Sequence, residues 1–310
     1  MMNLSIYTWG TGCAFGRELG LPPNRTRRHH VSSSIIGFEN GEMRLHLLVD
    51  AGAPCVETMI DSGITRVPDV LFITHPHADH VSDFDKLAIS RMRGLKFSGQ
   101  VFAPLAVVAS AECIANPTSG LRTRFGYLDF LLKWLPIPDY DVWYSLSAAD
   151  GELLPTDSVS AQDKQFPVSF KALPVYHIQA PGACLFIFRF DEPRRKIVFS
   201  GDFDSIEESV IENHDLRDPD AMVLETNTLK AVRTNHSNWE VNKELIARWV
   251  TGKTKSLILL NHLSGSEDYE QGYYDHIPTD SDWAEEIGRF TPPANTDVVI
   301  AEDGKWYPIG

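Results

Sequence analysis

A histidine-rich segment is the part of the sequence whose residue types most clearly indicate chemistry. It reads Thr74-His75-Pro76-His77-Ala78-Asp79-His80 and follows the apolar run 70–73. Imidazoles and carboxylates crowded into so short a segment are costly to fold unless water, hydrogen bonds or a metal ion satisfies them. Residues two apart on an extended chain point to one side, so His75 and His77 can share one ion, while Asp79 and His80 serve a second. The spacing therefore indicates two adjacent metal sites, each of which needs ligands from elsewhere, and the alternative is a solvated turn.

Three further candidate ligands, His177, Asp202 and His262, each follow an apolar run typical of a strand. Strand ends often converge on one edge of a layered α/β structure, where binding sites form. Taken alone, His177 and His262 are more typical of structural histidines, and Asp202 in Ser-Gly-Asp is typical of a turn. Taken together with the histidine-rich segment, they complete two sets of metal ligands.

The composition narrows the classes of protein that the chain can belong to. Among 310 residues, 42 are Asp or Glu and 28 are Lys or Arg, and the net charge of −14 disfavours a general nucleic-acid binder. A hydrophobic content of 43 % excludes global disorder. The four cysteines, Cys13, Cys55, Cys113 and Cys184, lie far apart, as expected of reduced thiols in a cytoplasmic protein. No basic leader or long apolar span is present, so neither a signal peptide nor a transmembrane helix is expected.

Short apolar runs bounded by turn residues predict strands before residue 75 and again after residue 167. The predicted strands are residues 4–9, 35–38, 45–49, 70–74, 168–176, 184–190, 196–200, 221–225, 256–260 and, last, 298–301. No linker divides the chain into two halves. We therefore expect a single domain over residues 1–310, with two sheets and with helices outside them.

Helical spacing of apolar residues predicts helices over residues 84–93, 105–115 and 121–135. Residues 136–165 are rich in Pro, Asp and Ser, which predicts a long irregular loop. The stretch 105–165 is therefore expected to be a helical and loop insertion. A last helix is predicted over residues 239–250, with Ser237 as its N-terminal cap.

With these motifs in this order, the sequence resembles the metallo-β-lactamase superfamily. The matching pieces extend from Gly10-Thr11-Gly12 through Leu48-Val49-Asp50-Ala51-Gly52 to Ala301-Glu302-Asp303-Gly304. The resemblance implies an α/β fold, the αββα sandwich. It also implies a ligand set in which His75, His77 and His177 hold the first metal, Asp79, His80 and His262 hold the second, and Asp202 bridges them. Imidazole and carboxylate ligands without thiolates suit two Zn²⁺ ions, with Mn²⁺ or Fe²⁺ as alternatives.

Within the superfamily, the sequence looks most like the phosphodiesterase branch, which includes ribonuclease Z and the phosphoribosyl cyclic phosphodiesterase of phosphonate breakdown. The supporting segments are Gly10-Thr11-Gly12, Glu225-Thr226-Asn227, His236-Ser237 and Leu259-Leu260-Asn261-His262-Leu263-Ser264. The resemblance implies hydrolysis of a small phosphodiester, such as a cyclic phosphate or a cyclic nucleotide, by attack of a metal-bound hydroxide. The short segment between His177 and Asp202 cannot hold the tRNA-binding arm of ribonuclease Z, so long nucleic acids are not expected as substrates. The resemblance is compatible with a homodimer.

Two residues are candidates for catalysis under this resemblance. Asp79 could orient the attacking hydroxide, and His236 could protonate the leaving alkoxide. The alternative for His236 is an exposed histidine that flanks a helix cap. Glu225 and Asp50 are candidates for bracing the site.

A basic loop over residues 24–30 stands out because five of its seven residues, Arg25, Arg27, Arg28, His29 and His30, can be cationic in an acidic protein. The loop could hold a substrate phosphate. A solvated basic loop or a contact between subunits is the alternative.

Two other function classes remain open at this stage. The first is a lactonase or thioesterase, because a metal-activated hydroxide attacks carbonyl carbon as well as phosphorus. The second is a metal-containing binding protein without catalytic activity.

Overall fold

The strands and helices are defined in a computed structural model that describes residues 2–13, 27–64, 66–148, 151–232 and 234–310. The strands are β1 (Asn3–Gly10), β2 (Ser32–Glu39), β3 (Glu42–Val49), β4 (Val70–Phe72), β5 (Leu105–Ser110), β6 (Leu132–Ile137), β7 (Tyr144–Leu146), β8 (Leu153–Pro155), β9 (Val168–Pro174), β10 (Cys184–Phe190), β11 (Arg195–Phe199), β12 (Ala221–Glu225), β13 (Ser256–Asn261), β14 (Thr296–Ile300) and β15 (Lys305–Pro308). The α-helices are α1 (Cys55–Asp61), α2 (Ala78–Val81), α3 (Phe84–Phe97), α4 (Ala111–Ala115), α5 (Leu121–Phe125), α6 (Glu208–Ile211), α7 (Trp239–Trp249), α8 (Ser266–Glu270) and α9 (Asp280–Gly288).

The strands of the described residues form two mixed sheets. The first sheet has the order β15-β1-β2-β3-β4-β5-β6, and its strands β3 to β6 run parallel. The second sheet has the order β14-β13-β12-β11-β10-β9-β7-β8, and its strands β11 to β14 run parallel. Parallel neighbours end at the same edge of a sheet, so each sheet gathers the loops that follow these strands at one edge.

The two sheets pack face to face around an apolar core. Strand β10 shows why, because its alternate residues Phe186, Phe188 and Phe190 point between the sheets while Leu185 and Ile187 point outward. Helices α1, α3, α4 and α5 cover the outer face of the first sheet, and α7 and α9 cover that of the second. The predicted αββα sandwich is therefore confirmed. None of the helices in the described part of the chain is both long and apolar enough to cross a bilayer.

The strand predictions before residue 75 and after residue 167 are confirmed, but two helix predictions are wrong in part. Residues 105–115 begin as strand β5 before α4, and residues 121–135 begin as α5 but end in strand β6. Both strands extend the first sheet in parallel to β4. Most residues of β5 are buried on both faces, so the strand reads as a continuous apolar run that periodicity cannot distinguish from a buried helix.

Three smaller expectations also require correction. The predicted loop 136–165 contains the short antiparallel strands β7 and β8. The last strand is β15, which pairs with β1 at an edge; only one of its four residues is buried, so it has no apolar run that would predict a strand. Helix α7 is capped by Asn238, whose side chain accepts a hydrogen bond from the backbone N–H of Val241, while the Ser237 hydroxyl donates to Asn242 instead.

Candidate metal centre

The histidine-rich segment leaves the first sheet at the end of β4. His75 lies in the stretch between β4 and α2, His77 is the N-terminal cap residue of α2 with an extended backbone, and Asp79 and His80 lie in that short helix. The stretch before the helix brings His75 and His77 into one cluster, and the helical turn brings Asp79 and His80 into another. The change of local structure within the segment therefore separates its potential ligands into two groups, as their spacing predicted.

The second sheet supplies the other candidate ligands. His177 follows β9, Asp202 follows β11, and His262 directly follows β13 with a backbone φ of +63°. All three side chains are buried at the sheet edge that faces α2. The structure thus brings together all the metal ligands that the sequence predicted.

The three-histidine cluster consists of His75, His77 and His177. One ring nitrogen from each lies within 4.8 Å of the others. Nε2 of His177 is 3.0 Å from Nδ1 of His77, and Nε2 of His75 has no hydrogen-bond partner among the described residues. Imidazole nitrogens that converge on one point, with one of them lacking any hydrogen-bond partner, have the arrangement of metal ligands.

The carboxylate cluster consists of Asp79, His80, Asp202 and His262. Oδ2 of Asp202 lies 2.9 Å from Nε2 of His262 and 3.2 Å from Nε2 of His80, and Oδ2 of Asp79 lies 3.2 Å from Nε2 of His262. The same Asp202 oxygen is 3.9 Å from His75 and 4.0 Å from His177. Asp202 therefore stands between the two clusters, in the position that a bridging ligand requires.

The two clusters hold their imidazoles in different charge states. Burial lowers the pKa of His177 to about 3 and that of His75 well below its usual range, and neighbouring histidines add to the effect. Burial also lowers the pKa of His77. These three rings are therefore neutral near pH 7, which is the state in which imidazole binds a metal.

Carboxylates dominate the second cluster. Burial disfavours protonation of His80 and His262, but the nearby carboxylates, Asp202 foremost and Asp79 with it, together raise the pKa of both imidazoles. Burial by itself would raise the pKa of Asp202, yet His262 and His80 hold it well below its usual range. Within this cluster the carboxylates and the imidazoles therefore each favour the charged form of the other.

Residues behind the ligands fix their orientation. Oδ2 of Asp50 lies 2.8 Å from Nδ1 of His80, and Asp50 also accepts hydrogen bonds from the backbone N–H and the hydroxyl of Thr74. The Thr74 hydroxyl oxygen in turn lies 3.1 Å from Nδ1 of His75. These contacts use the Nδ1 side of His75 and His80 and leave Nε2 of each ring facing its cluster.

His236 lies at the rim of the two clusters. Its Nδ1 is 2.6 Å from Oε1 of Glu225 and 3.5 Å from Oδ2 of Asp202, and its ring centroid lies 5.0 Å from that of His177. Burial disfavours the charged form of His236, but Glu225 outweighs it and raises the pKa of the imidazole. Glu225 is itself fixed, because its other oxygen accepts hydrogen bonds from the backbone N–H groups of Phe203 and Ser237.

Two buried polar residues that the sequence analysis missed hold the loop on which His236 stands. Asn242 donates to the carbonyl oxygen of Glu225, and Asp268 accepts three backbone N–H groups over residues 229–231. Asn242 could have been identified from the sequence, because it is a polar residue on the buried, otherwise apolar face of α7. Asp268 could not, because its partners are backbone groups far away in sequence.

Only residues 27–30 of the basic loop are described, and residues 24–26 lie outside the described part of the chain. Arg28 is 6 % exposed, and its guanidinium donates to the Thr11 hydroxyl, the Ala301 carbonyl and Asp280. A Cβ on Gly10 would lie 1.9 Å from the carbonyl oxygen of His30, so the loop packs tightly on the end of β1. The contacts of Arg28 favour a structural role over phosphate binding for this residue.

The residues present fit divalent metal ions. Neutral imidazoles in one cluster, and imidazoles with carboxylates in the other, are ligands of Zn²⁺, Mn²⁺ and Fe²⁺. The unsatisfied Nε2 of buried His75 is otherwise unexplained, because buried polar atoms in folded proteins are nearly always paired.

The chain belongs to the β-lactamase superfamily, because the family model described as the beta-lactamase superfamily domain matches residues 48–262. The match runs from the end of β3 to the first residue after β13 and includes all the candidate metal ligands. None of the curated proteins matches the sequence of this chain.

Solved structures show the same metallo-β-lactamase fold. The metallo-β-lactamase fold protein YhfI from Bacillus subtilis aligns with a TM-score of 0.65 and 16 % identity over 99 % of this chain and 100 % of its own. The short form of human tRNase Z aligns with a TM-score of 0.58 and 18 % identity over 99 % of both chains. Unliganded yeast PDE1 aligns with a TM-score of 0.60 and 14 % identity over 100 % of both chains.

Proposed function

We propose that the protein is a binuclear metal hydrolase that cleaves a small phosphodiester. The observation that carries the proposal is the pair of adjacent ligand clusters with Asp202 standing between them and the His236–Glu225 pair at their rim. The similarity to tRNase Z, which is a ribonuclease by name, supports phosphorus rather than carbonyl carbon as the centre attacked. The net charge of −14 favours a small substrate over a long nucleic acid.

In this proposal, His75, His77 and His177 hold one divalent ion, and Asp79, His80 and His262 hold the other, with Asp202 shared. Zn²⁺ suits both ligand sets, with Mn²⁺ or Fe²⁺ as alternatives. Two such ions supply a nucleophile at neutral pH and Lewis-acid stabilisation of the phosphoryl oxygens. The protein contributes the fixed positions of the ligands, which the contacts of Asp50 and Thr74 maintain.

Asp79 is the group that orients the attacking water. One of its oxygens contacts His262, and its side chain is 9 % exposed at the mouth of the site. A carboxylate there can accept a hydrogen bond from the water and keep a lone pair directed at phosphorus.

His236 is the group that protonates the leaving oxygen. Glu225 engages Nδ1, and no hydrogen bond among the described residues engages Nε2, so Nε2 is available to the substrate. The imidazolium gives the Nε2 proton to the leaving alkoxide as the bond from phosphorus to that oxygen breaks, and it regains a proton from solvent. Glu225 stabilises the charged ring before the transfer and fixes its orientation.

The proposal is tested by steady-state hydrolysis with zinc- or manganese-loaded protein. A chromogenic phosphodiester, a lactone and a thioester of similar size are compared by kcat/KM. We expect the diester to be preferred. A preference for the lactone or thioester would assign the protein to the carbonyl hydrolases, and metal binding without turnover of any of them would indicate a binding protein.

The role of His236 is tested with His236→Ala on two phosphodiesters that differ only in their leaving group. A nitrophenolate leaves readily without a proton, whereas an alkoxide requires one. The substitution should lower kcat by about 10²-fold or more for the alkyl diester and by much less for the nitrophenyl diester. An equal loss for both substrates would show that His236 does not supply the proton.

A further inference from the structure

Two buried polar atoms without hydrogen-bond partners face each other behind the three-histidine cluster. They are Nδ1 of His177 and Oδ1 of Asp204, and no other atom of the described residues satisfies either of them. The two atoms are 3.8 Å apart. Unpaired buried groups are rare in folded proteins, so two that face each other indicate a functional contact.

The local backbone fixes Asp204 at this place. Tyr176, which precedes His177, forms an antiparallel bridge with Ser205, and the N–H of Asp204 donates to the Tyr176 carbonyl at 2.8 Å. The other carboxylate oxygen, Oδ2, accepts the N–H of Ile178 at 3.1 Å. Hydrogen bonds to Tyr176 and Ile178, the two neighbours of His177, therefore fix Asp204. Its Oδ1 makes no hydrogen bond and lies closest to the imidazole ring.

We propose that Asp204 is the positioning residue for His177. Its Oδ1 accepts a hydrogen bond from Nδ1–H of His177, which keeps the proton on Nδ1 and leaves the Nε2 lone pair for the ion of the three-histidine cluster. This inference rests on the metal centre proposed above and adds to it the group that sets the affinity of one of its two ions.

The carboxylate cluster supplies a parallel within the same molecule. There Asp50 lies 2.8 Å from Nδ1 of His80, on the side of the ring away from the candidate ion. In the same cluster Nδ1 of His262 lies 3.7 Å from Oε1 of Glu225, so a carboxylate outside the proposed ligand set stands behind a histidine in each candidate metal site. A ring nitrogen that donates to a carboxylate makes the opposite nitrogen a stronger ligand and fixes its direction.

A neighbouring histidine cannot serve as the hydrogen-bond partner of Nδ1 of His177. Nε2 of His177 faces Nδ1 of His77 at 3.0 Å, so the cluster side of the ring is already used. The side chain of His177 is only 1 % exposed, which also leaves little access for solvent to satisfy Nδ1. A movement of about 1 Å brings Asp204 and His177 to normal hydrogen-bond distance.

The test is a titration of metal-free protein with Zn²⁺, followed by calorimetry that resolves two binding events. Asp204→Ala should weaken one event by about 10- to 100-fold and leave the other within about twofold. Asp204→Asn keeps a side-chain oxygen for the N–H of Ile178 or for the ring, so we expect an intermediate loss. Asp50→Asn should weaken the other event. Ser205→Ala, at the neighbouring residue that bridges through its backbone, is the matched control and should change neither.

A second measurement reads the tautomer directly and needs no metal. Nitrogen chemical shifts of ¹⁵N-labelled histidine, assigned with a His177 variant, should show the Nδ1–H form in the wild type and a mixture of tautomers in Asp204→Ala. Unchanged shifts in Asp204→Ala, or equal weakening of both zinc events together with a lower melting temperature of the metal-free protein, would overturn the proposal. Absence of zinc binding to the wild type would instead refute the metal centre, and the nitrogen shifts would still decide the role of Asp204.

Discussion

The buried histidine of strand β3, His46, and the three-histidine cluster between the two sheets are satisfied in opposite ways. His46 on β3 is fully buried, and both of its ring nitrogens have partners, the Ser34 hydroxyl at 2.8 Å and the Arg66 carbonyl at 2.8 Å. In the three-histidine cluster, by contrast, Nε2 of His75 has no partner within the described chain, and Nε2 of His177 meets only another imidazole.

A structural histidine thus differs from a candidate metal ligand in how many of its ring nitrogens have hydrogen-bond partners within the protein. Burial lowers the pKa of His46 to about 4, as it lowers that of His177, so burial and charge state do not distinguish them. The Ser34 hydroxyl accepts a hydrogen bond from Trp9 and donates one to Nε2 of His46, so both ring nitrogens of His46 are hydrogen-bonded. Of these two sites, the three-histidine cluster is the one in which the described residues leave a ring nitrogen facing the cluster, Nε2 of His75, without a partner.

The largest expected effect is on catalysis. His77→Ala removes a half-buried candidate ligand, and kcat/KM for a phosphodiester should fall on the order of 10³-fold or more because the first ion is lost. The metal content per chain, measured by mass spectrometry of the elements, should fall with it. His46→Gln should keep both the metal and the activity, and loss of metal in His46→Gln would remove the distinction between the two groups.

A smaller effect is expected on stability. At a free Zn²⁺ concentration of about 100 times the dissociation constant, the free energy of unfolding of the wild type should rise by about 2.7 kcal/mol. His77→Ala should lose part of this increment, whereas His46→Gln should keep it in full. Urea unfolding with and without a chelator measures the increment, and an equal increment in both variants would contradict the assignment of the ligands.

The pH dependence of stability sharpens the comparison for His46. Its pKa is about 4 in the folded protein and about 6.5 when unfolded, so its contribution is complete above pH 6.5 and is lost as the pH falls towards 4. Between pH 7.5 and pH 5 the metal-free wild type should lose about 2 kcal/mol more than His46→Gln. Parallel losses in the two proteins would show that His46 is not held neutral.

The smallest expected effect concerns the hydroxyl that completes the His46 site. Ser34→Ala leaves Nε2 of His46 and Nε1 of Trp9 without their common partner, which should cost about 1 to 2 kcal/mol of unfolding free energy. Metal binding should be unchanged. Zinc titration and urea unfolding of the same variant check both statements, and weaker zinc binding would mean that the two sites are coupled.

The sequence was sufficient to predict the ligand clusters because their signals are local. The potential ligands of the histidine-rich segment lie within a few consecutive residues. His177, Asp202 and His262 each follow an apolar strand that periodicity identifies. Strand ends on one edge of a sheet then bring them together. Their roles as ligands, and that of His236 as a proton donor, stay predictions until metal binding is measured.

The residues and the strand that the sequence did not predict depend on contacts that leave no signal in the neighbouring residues. Asp204 and Asp268 act on groups brought near by the fold, namely the ring of His177 and the backbone N–H groups of residues 229–231. Nothing in the residues beside them indicates those partners. The same limit explains the error at β5, where burial on both faces removes the alternation that marks a strand.

The placement of the ligands on both sheets has a consequence for the order of folding. His75 follows β4 in the first sheet, whereas Asp202 and His262 follow β11 and β13 in the second, far along the chain. A ribosome must therefore release most of the polypeptide before the last ligand can join the first, and contacts so distant in sequence form slowly. Uptake of zinc during refolding should follow, not precede, the packing of the two sheets. Zinc binding would then report that folding is complete and would not initiate folding.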